Sequence, residues 1–297
     1  MAALNVVGRF RHQNDLHSYR RRLANEVTQS FALRLLPALI SLPIEIIDAA
    51  GSPQSLANLI SSGQHITLSG PTGGGRRLAL QQWALQWAAG EQPSAPTPML
   101  LALARLDDGV SPPDRLLSAF IRAATPPSDP KPPRDMLQFF RRDASAPEPD
   151  SPVRSRLLIY GWDELPAERR ALWRMALLDA AQSQPAVAIA LTHPLWEPAW
   201  PAFTPLALAP LSSTRLARWV EQLAPTAQRR PLLELLTSET TPHPLAERLL
   251  EVALLAWLAP STPLPRTRSA LYKQTIAQLL DIPIGQLDHT PIMRELQ

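Results

Sequence analysis

The segment Gly70-Pro71-Thr72-Gly73-Gly74-Gly75-Arg76-Arg77 concentrates four of the eleven glycines of the chain. It follows a short apolar run (HITLS) and opens an amphipathic one beginning at Arg76. Glycines let successive backbone N–H groups turn inward, and a helix start adds partial positive charge, so such a segment can cradle phosphate. A second stretch, LLIYGWDELP at residues 157–166, is an apolar strand pattern that ends in Asp163 and Glu164. Behind a phosphate-cradling loop, carboxylates at a strand end hold Mg²⁺ and orient an attacking water. This reading makes Gly70, Thr72, Gly73, Gly74, Gly75, Arg76 and Arg77 nucleotide-binding residues, Asp163 a metal ligand and Glu164 the catalytic acid or base. A ligand-free glycine turn and a solvated helix start at 163–164 are the structural alternatives.

Two positions depart from a working P-loop. Such a loop ends in Lys and then Ser or Thr, but Arg76 and Arg77 stand there. Lysine is a compact charge that reaches the outer phosphates, whereas arginine is a wide planar fork. The missing hydroxyl is a Mg²⁺ ligand, and a guanidinium in its place repels the metal. Lysine occurs only at Lys131 and Lys273, which accounts for Arg76 as compositional preference and leaves Arg77 unexplained. ATP or ADP is therefore the expected ligand, with Mg²⁺ disfavoured.

The elements around these motifs read as an α/β core. Strand patterns at 65–69, 99–104, 156–160, 186–191 and 203–208 alternate with helical patterns at 76–89, 115–124, 134–142 and 168–182. That alternation implies a parallel sheet wrapped by helices. Residues 14–36 read as a helix with Leu16, Tyr19, Leu23, Val27 and Phe31 on one face, and 42–47 as a short extended segment. After residue 210 only helical patterns remain, at 212–223, 231–236, 244–258 and 267–280, with Ser212 and Ser213 as candidate caps. The expected organisation is a helical lead over 1–64, a P-loop NTPase-like α/β domain over 65–210 and an all-helical lid over 211–297. Proline-rich stretches at 125–135 and 144–152 are expected to be mobile surface loops.

With 297 residues, 45% hydrophobic and 19% charged, the chain is long and apolar enough to bury a core. No cysteine is present, which excludes disulfides, thiolate metal sites and cysteine nucleophiles, and fits a cytoplasmic setting. No secretory signal is expected, since Met1 to Phe10 lacks a basic start followed by an apolar block, and no membrane span, since the most apolar window, 31–50, carries Arg34, Pro37, Pro43, Glu45 and Asp48. A net charge of +3 does not by itself mark a nucleic-acid binder. The triplet Arg20-Arg21-Arg22 reads either as a solvated helix face or as a basic contact for nucleic acid or an acidic partner.

The order of these landmarks resembles the signal-transduction P-loop ATPases of the NACHT and wider STAND group. Their acidic motif is four apolar residues followed by D-G-x-D-E; here Gly161, Asp163 and Glu164 match, and Tyr160 stands at the first Asp. ALTHP at 190–194 resembles the family's T-S-R-P strand end, with His193 where the sensor arginine would be. FTPLALAPLSSTRLARWV at 203–220 is similar to the passage into the helical lid. TPHPLAERLL at 241–250 resembles the motif whose proline sits against adenine, which points to Pro244. LPRTRSALYKQTIAQLL at 264–280 is similar to the family's L-P-x-x-R-x-x-L-Y segment. The similarity covers roughly residues 15–280, and no winged helix or repeat sensor is recognised.

The resemblance implies a degenerate NTPase module with weak or absent hydrolysis, acting as a regulatory or scaffolding subunit in signalling or defence. Its partner would be an effector or sensor subunit in trans, or a second copy of itself. A second alignment applies if the strand runs on through Gly161 and Trp162. In AAA+ ATPases an apolar strand leads directly into D-E, so Asp163 would then take the metal and Glu164 the water in an active, DNA-associated ATPase.

Overall fold

The computed structural model describes residues 17–30, 33, 36–62, 64–91, 97–103, 155–183, 187–194, 200–237, 243–260, 263–281 and 283. The helices expected at 115–124 and 134–142 and the loops expected at 125–135 and 144–152 lie outside these residues. The chain divides into two compact units, one from 1–30, 44–70 and 76–209, the other from 31–43, 71–75 and 210–297.

The first unit is built on a seven-stranded sheet. Its strands are β1 (Ile46–Asp48), β2 (Pro53–Gln54), β3 (Ile66–Gly70), β4 (Thr97–Ala102), β5 (Ser155–Tyr160), β6 (Val187–Pro194) and β7 (Thr204–Leu208). The order is β2-β1-β7-β3-β6-β5-β4, parallel from β7 to β4, with β1 and β2 added antiparallel at one edge. β1 and β2 lie in the segment read as a helical lead. Ile46 and Ile47 are β-branched, and the register Ile46↔Leu208 and Ile47↔Ala207 joins them to β7.

Alternation along the central strands sets the core. Met99, Leu101, Leu157, Ile159, Ile189 and Leu191 share one face and pack with Trp173, Ala176 and Leu177 of α4 (Ala167–Ser183). In front of it, α1 (residues 17–28), α2 (Leu56–Ser61) and α3 (Arg76–Ala88) precede α4 in the chain. Trp83 and Trp87 of α3 are both buried, as their shared helix face implies. α1 stops short of the expected residue 36. Thr28 Oγ1 turns back to the Ala24 carbonyl at 2.9 Å, and the Ser30 N–H bonds Val27 O rather than the residue one further back.

Arg156 is a fully buried cation inside an apolar strand. Its guanidinium donates to the carbonyls of Leu59 (3.2 Å) and Gln64, so it serves the C-terminal end of α2, where carbonyls lack helical partners. Burial pushes its pKa down to about 10.

The second unit contains α5 (Ser213–Leu223), α6 (Thr226–Leu236), α7 (Leu249–Leu258) and α8 (Arg268–Leu280), with a 3₁₀ turn at Pro37–Ser41. Ser212 caps α5 by accepting from the Arg215 N–H, and Thr267 caps α8 by accepting from Ala270. Two outlines differ from expectation. α6 begins five residues ahead of Pro231 and holds the proline inside it. The single helix expected at 244–258 splits into a 3₁₀ turn, Pro244–Ala246, and α7, because Arg248 is extended (φ −130°, ψ 135°). No helix of the described residues is long and apolar enough to cross a membrane.

Candidate functional site

The glycine loop leaves β3 and enters α3, and each of its glycines has a steric reason. Gly73 and Gly75 have φ of 77° and 106°, a region that favours glycine. A Cβ on Gly74 would come within 2.9 Å of the Pro71 ring, and one on Gly70 within 3.0 Å of Leu208. The Gly74 N–H closes the turn onto Pro71 O at 3.0 Å. Residues 71–75 group with the second unit. There the Gly73 carbonyl accepts from the Leu250 N–H at 2.9 Å, and a Cβ on Gly73 would lie 3.3 Å from Leu250 Cβ. This bond gives one of the orphan N–H donors at the start of α7 its acceptor. Thr72 is exposed in the loop.

The two arginines that close the motif belong to the first unit, and both reach the acidic motif. Arg76 is 7% exposed and its Nη2 donates to Asp163 Oδ2 at 2.9 Å. Its Nη1 is buried without a hydrogen-bond partner among the described residues. Arg77 places its guanidinium carbon 4.3 Å from the centroid of the Tyr160 ring, a cation–π stack. Tyr160 itself is buried. β6 lies between β3 and β5 in the sheet, so both contacts span an intervening strand.

β5 ends at Tyr160. Gly161 is left-handed (φ 81°) and starts a 3₁₀ turn, Trp162–Glu164, in which the indole of Trp162 is buried. The condition for the AAA+ alignment, a strand continuing through Gly161 and Trp162, is not met. Asp163 faces Arg76. Glu164 is exposed and folds back, with its carboxylate 3.6 Å from where a Gly161 Cβ would sit. Among the described residues no group of three or more His, Asp or Glu gathers to hold a metal ion.

The remaining candidates are spread over both units. His193 is buried on β6 with Ser69 as its register partner. Its Nδ1 is 2.9 Å from the Pro194 carbonyl, and since a carbonyl only accepts, the proton is on Nδ1. Pro244 is exposed at the 3₁₀ turn, and its carbonyl accepts from Arg268 at 2.9 Å. The arginine triplet does not form one open basic patch. Arg20 stacks on Trp87 (4.9 Å) and Arg22 on Tyr19 (5.2 Å), leaving Arg21 exposed.

Sequence reasoning missed a charged cluster in the second unit. Glu251 is fully buried in α7; its Oε1 accepts from Arg268 Nε at 2.7 Å, with Arg248 at 3.9 Å and the Tyr272 hydroxyl at 3.5 Å. Arg268 also pairs with Glu247 at 2.8 Å. A carboxylate inside the otherwise apolar run LLEVALLAWL was the available signal. The Arg, Leu and Tyr of the L-P-x-x-R-x-x-L-Y segment are thereby accounted for: Arg268 and Tyr272 meet Glu251, and Leu271 is buried.

A glycine loop between the central parallel strand and a helix, with an acidic turn two strands away, is the architecture of a P-loop NTPase sheet. No protein-family model matches the sequence, and no curated protein matches it. Among solved structures, the Aeropyrum pernix ORC1 protein in complex with DNA is similar at 13% identity and a TM-score of 0.44. That match covers 75% of this chain and 63% of the other, so this chain spans less than two thirds of that protein.

Proposed function

We propose that the chain is a degenerate STAND/NACHT-like P-loop module that binds ATP or ADP weakly, does not turn it over, and acts as a regulatory or scaffolding subunit. The observation that carries this reading is the Arg76–Asp163 pair. The cation at the phosphate-reaching position and the carboxylate of the acidic motif neutralise each other, so neither is free for its catalytic task. Removing a single preorganised charge stabiliser costs about 10²–10³ in rate. Here the lysine, the hydroxyl and the first Asp are all replaced.

On this reading Gly70, Thr72, Gly73, Gly74, Gly75 and Arg77 hold the phosphates, once Arg76 is drawn from Asp163. The assignments of His193 as phosphate sensor and Pro244 as adenine contact rest on the resemblance, as do signalling or defence and a protein partner in trans or a second copy. Leu172 and Met175, 46% and 71% exposed on α4, support the partner half of the proposal. The cysteine-free composition supports a cytoplasmic setting. Nucleic-acid contact through the triplet falls to Arg21, the member not stacked on an aromatic ring.

The test is ATP turnover by the purified full chain with Mg²⁺, beside a Glu164→Gln variant. The expected result is no turnover above background in either. Turnover in the native chain that vanishes in Glu164→Gln would replace this reading with that of an active ATPase.

A further inference from the structure

Mg²⁺ is the metal this fold implies, and in a working site the loop Ser/Thr and the strand-end Asp hold it between them. The residues at those two positions do not fit the ion. Arg77 brings a permanent positive charge and no oxygen. Tyr160 brings a buried ring. What they do instead is touch: the guanidinium lies 4.3 Å from the ring centroid. Either substitution alone would leave an unmatched group, a guanidinium aimed at a carboxylate-bound metal or an aromatic ring beside a hydroxyl. Together they join the start of α3 to the end of β5 directly, which is the connection a bridging cation would otherwise provide.

The second contact has the same direction. Asp163, a carboxylate of the acidic motif, is bonded to Arg76 at 2.9 Å. A divalent cation placed at these two positions would face the guanidinium groups of Arg76 and Arg77.

We infer that the Arg77–Tyr160 stack stands in for the divalent cation, so that Arg77 is a built-in cation and phosphate binding by this chain needs no metal. The pair acts as a specificity determinant: it selects the metal-free form of a phosphate ligand over the Mg²⁺ complex. This deepens the nucleotide-binding reading and rests on it.

The experiment is calorimetric titration of the full chain with ADP, in Mg²⁺ and in EDTA, followed by Mn²⁺ titration read by electron paramagnetic resonance with ADP present. The native chain is expected to bind ADP more tightly in EDTA than in Mg²⁺ and to leave the Mn²⁺ signal at the level that ADP alone gives. The double variant Arg77→Thr, Tyr160→Asp is expected to take up Mn²⁺ in the presence of ADP and to bind ADP at least about tenfold tighter with Mg²⁺ than without it, the direction a Lewis-acid contact predicts. Mn²⁺ uptake by the native chain, or native ADP binding that needs Mg²⁺, overturns the inference without any variant. A folded double variant that binds ADP yet ignores Mn²⁺ overturns it as well. ADP binding by neither protein defeats the nucleotide-binding reading itself and this inference with it, an outcome distinct from ADP binding that requires the metal.

Discussion

The Arg76 guanidinium meets the Asp163 carboxylate at 2.9 Å, joining the first residue of α3 to the turn after β5 across the intervening strand β6. The arginine is 7% exposed and the aspartate 26%. A cation held that far from water needs an anion, and in this chain the anion is a side chain. An added phosphate must compete with Asp163 for the same guanidinium, with Nη1 as the part of Arg76 that Asp163 leaves unbonded.

Replacing Asp163 by Ala strands the buried cation of Arg76. The expected destabilisation is about 1–3 kcal/mol in urea unfolding, below the roughly 3–5 kcal/mol of a fully buried pair because Asp163 is partly solvated. The same variant should bind ADP more tightly than the native chain, since the internal competitor is gone. Equal affinities in a folded Asp163→Ala variant would show that Arg76 does not exchange partners.

Gly73 carries a different kind of constraint. Its φ of 77° favours glycine, and a methyl there would press on Leu250 Cβ at 3.3 Å. Gly73→Ala is expected to lose about 1–2 kcal/mol from the left-handed backbone alone, with the contact adding to it. A melting temperature unchanged from the native chain would mean that the loop relaxes away from this geometry.

Much of this was legible in the sequence because it depends on local rules. The glycine loop, the strand before it and the helix after it follow from glycine spacing and apolar alternation, and β3 and α3 match within a residue. The cap at Ser212 is equally local. What was not legible is pairing between segments distant in sequence. Arg77 and Tyr160 were each read as a separate departure, and only the sheet order, which puts one strand between β3 and β5, brings them together. The acceptor of the first turn of α7 was likewise invisible, because it is the Gly73 carbonyl, far back in the chain. The stacking of Arg20 was invisible for the same reason: its partner, Trp87, lies on α3.

The Glu251 cluster separates two roles for Arg268. Toward Glu247 the guanidinium makes a solvated pair, of the kind that contributes little. Toward Glu251 it neutralises a fully buried carboxylate whose other oxygen has no partner among the described residues. Arg268→Ala should therefore lower the melting temperature far more than Glu247→Gln does. A double variant, Arg268→Ala with Glu251→Leu, should recover much of the loss, because it removes the stranded charge together with its partner. Equal effects of Arg268→Ala and Glu247→Gln, or no recovery in the double variant, would show that the buried carboxylate is not the source of the cost.

His65 gives the fold a dependence on pH at its central strand. It stands immediately before β3, and its Nδ1 accepts the Ile189 N–H at 3.2 Å, which requires the neutral ring. Its pKa is held below the ordinary imidazole value, first by burial and then by the nearby Arg156 cation, against a backbone hydrogen bond to Ala181 that works the other way. The unfolded chain therefore takes up the proton more readily than the folded one. The contribution of this residue is fully present above the unfolded value, about 6.5. It is lost as pH falls from there toward the lower folded value. Urea midpoints should fall between neutral and mildly acidic pH in the native chain and fall less in His65→Gln. Parallel pH profiles for the two proteins would exclude His65 as the source of the slope, leaving it to the other histidines.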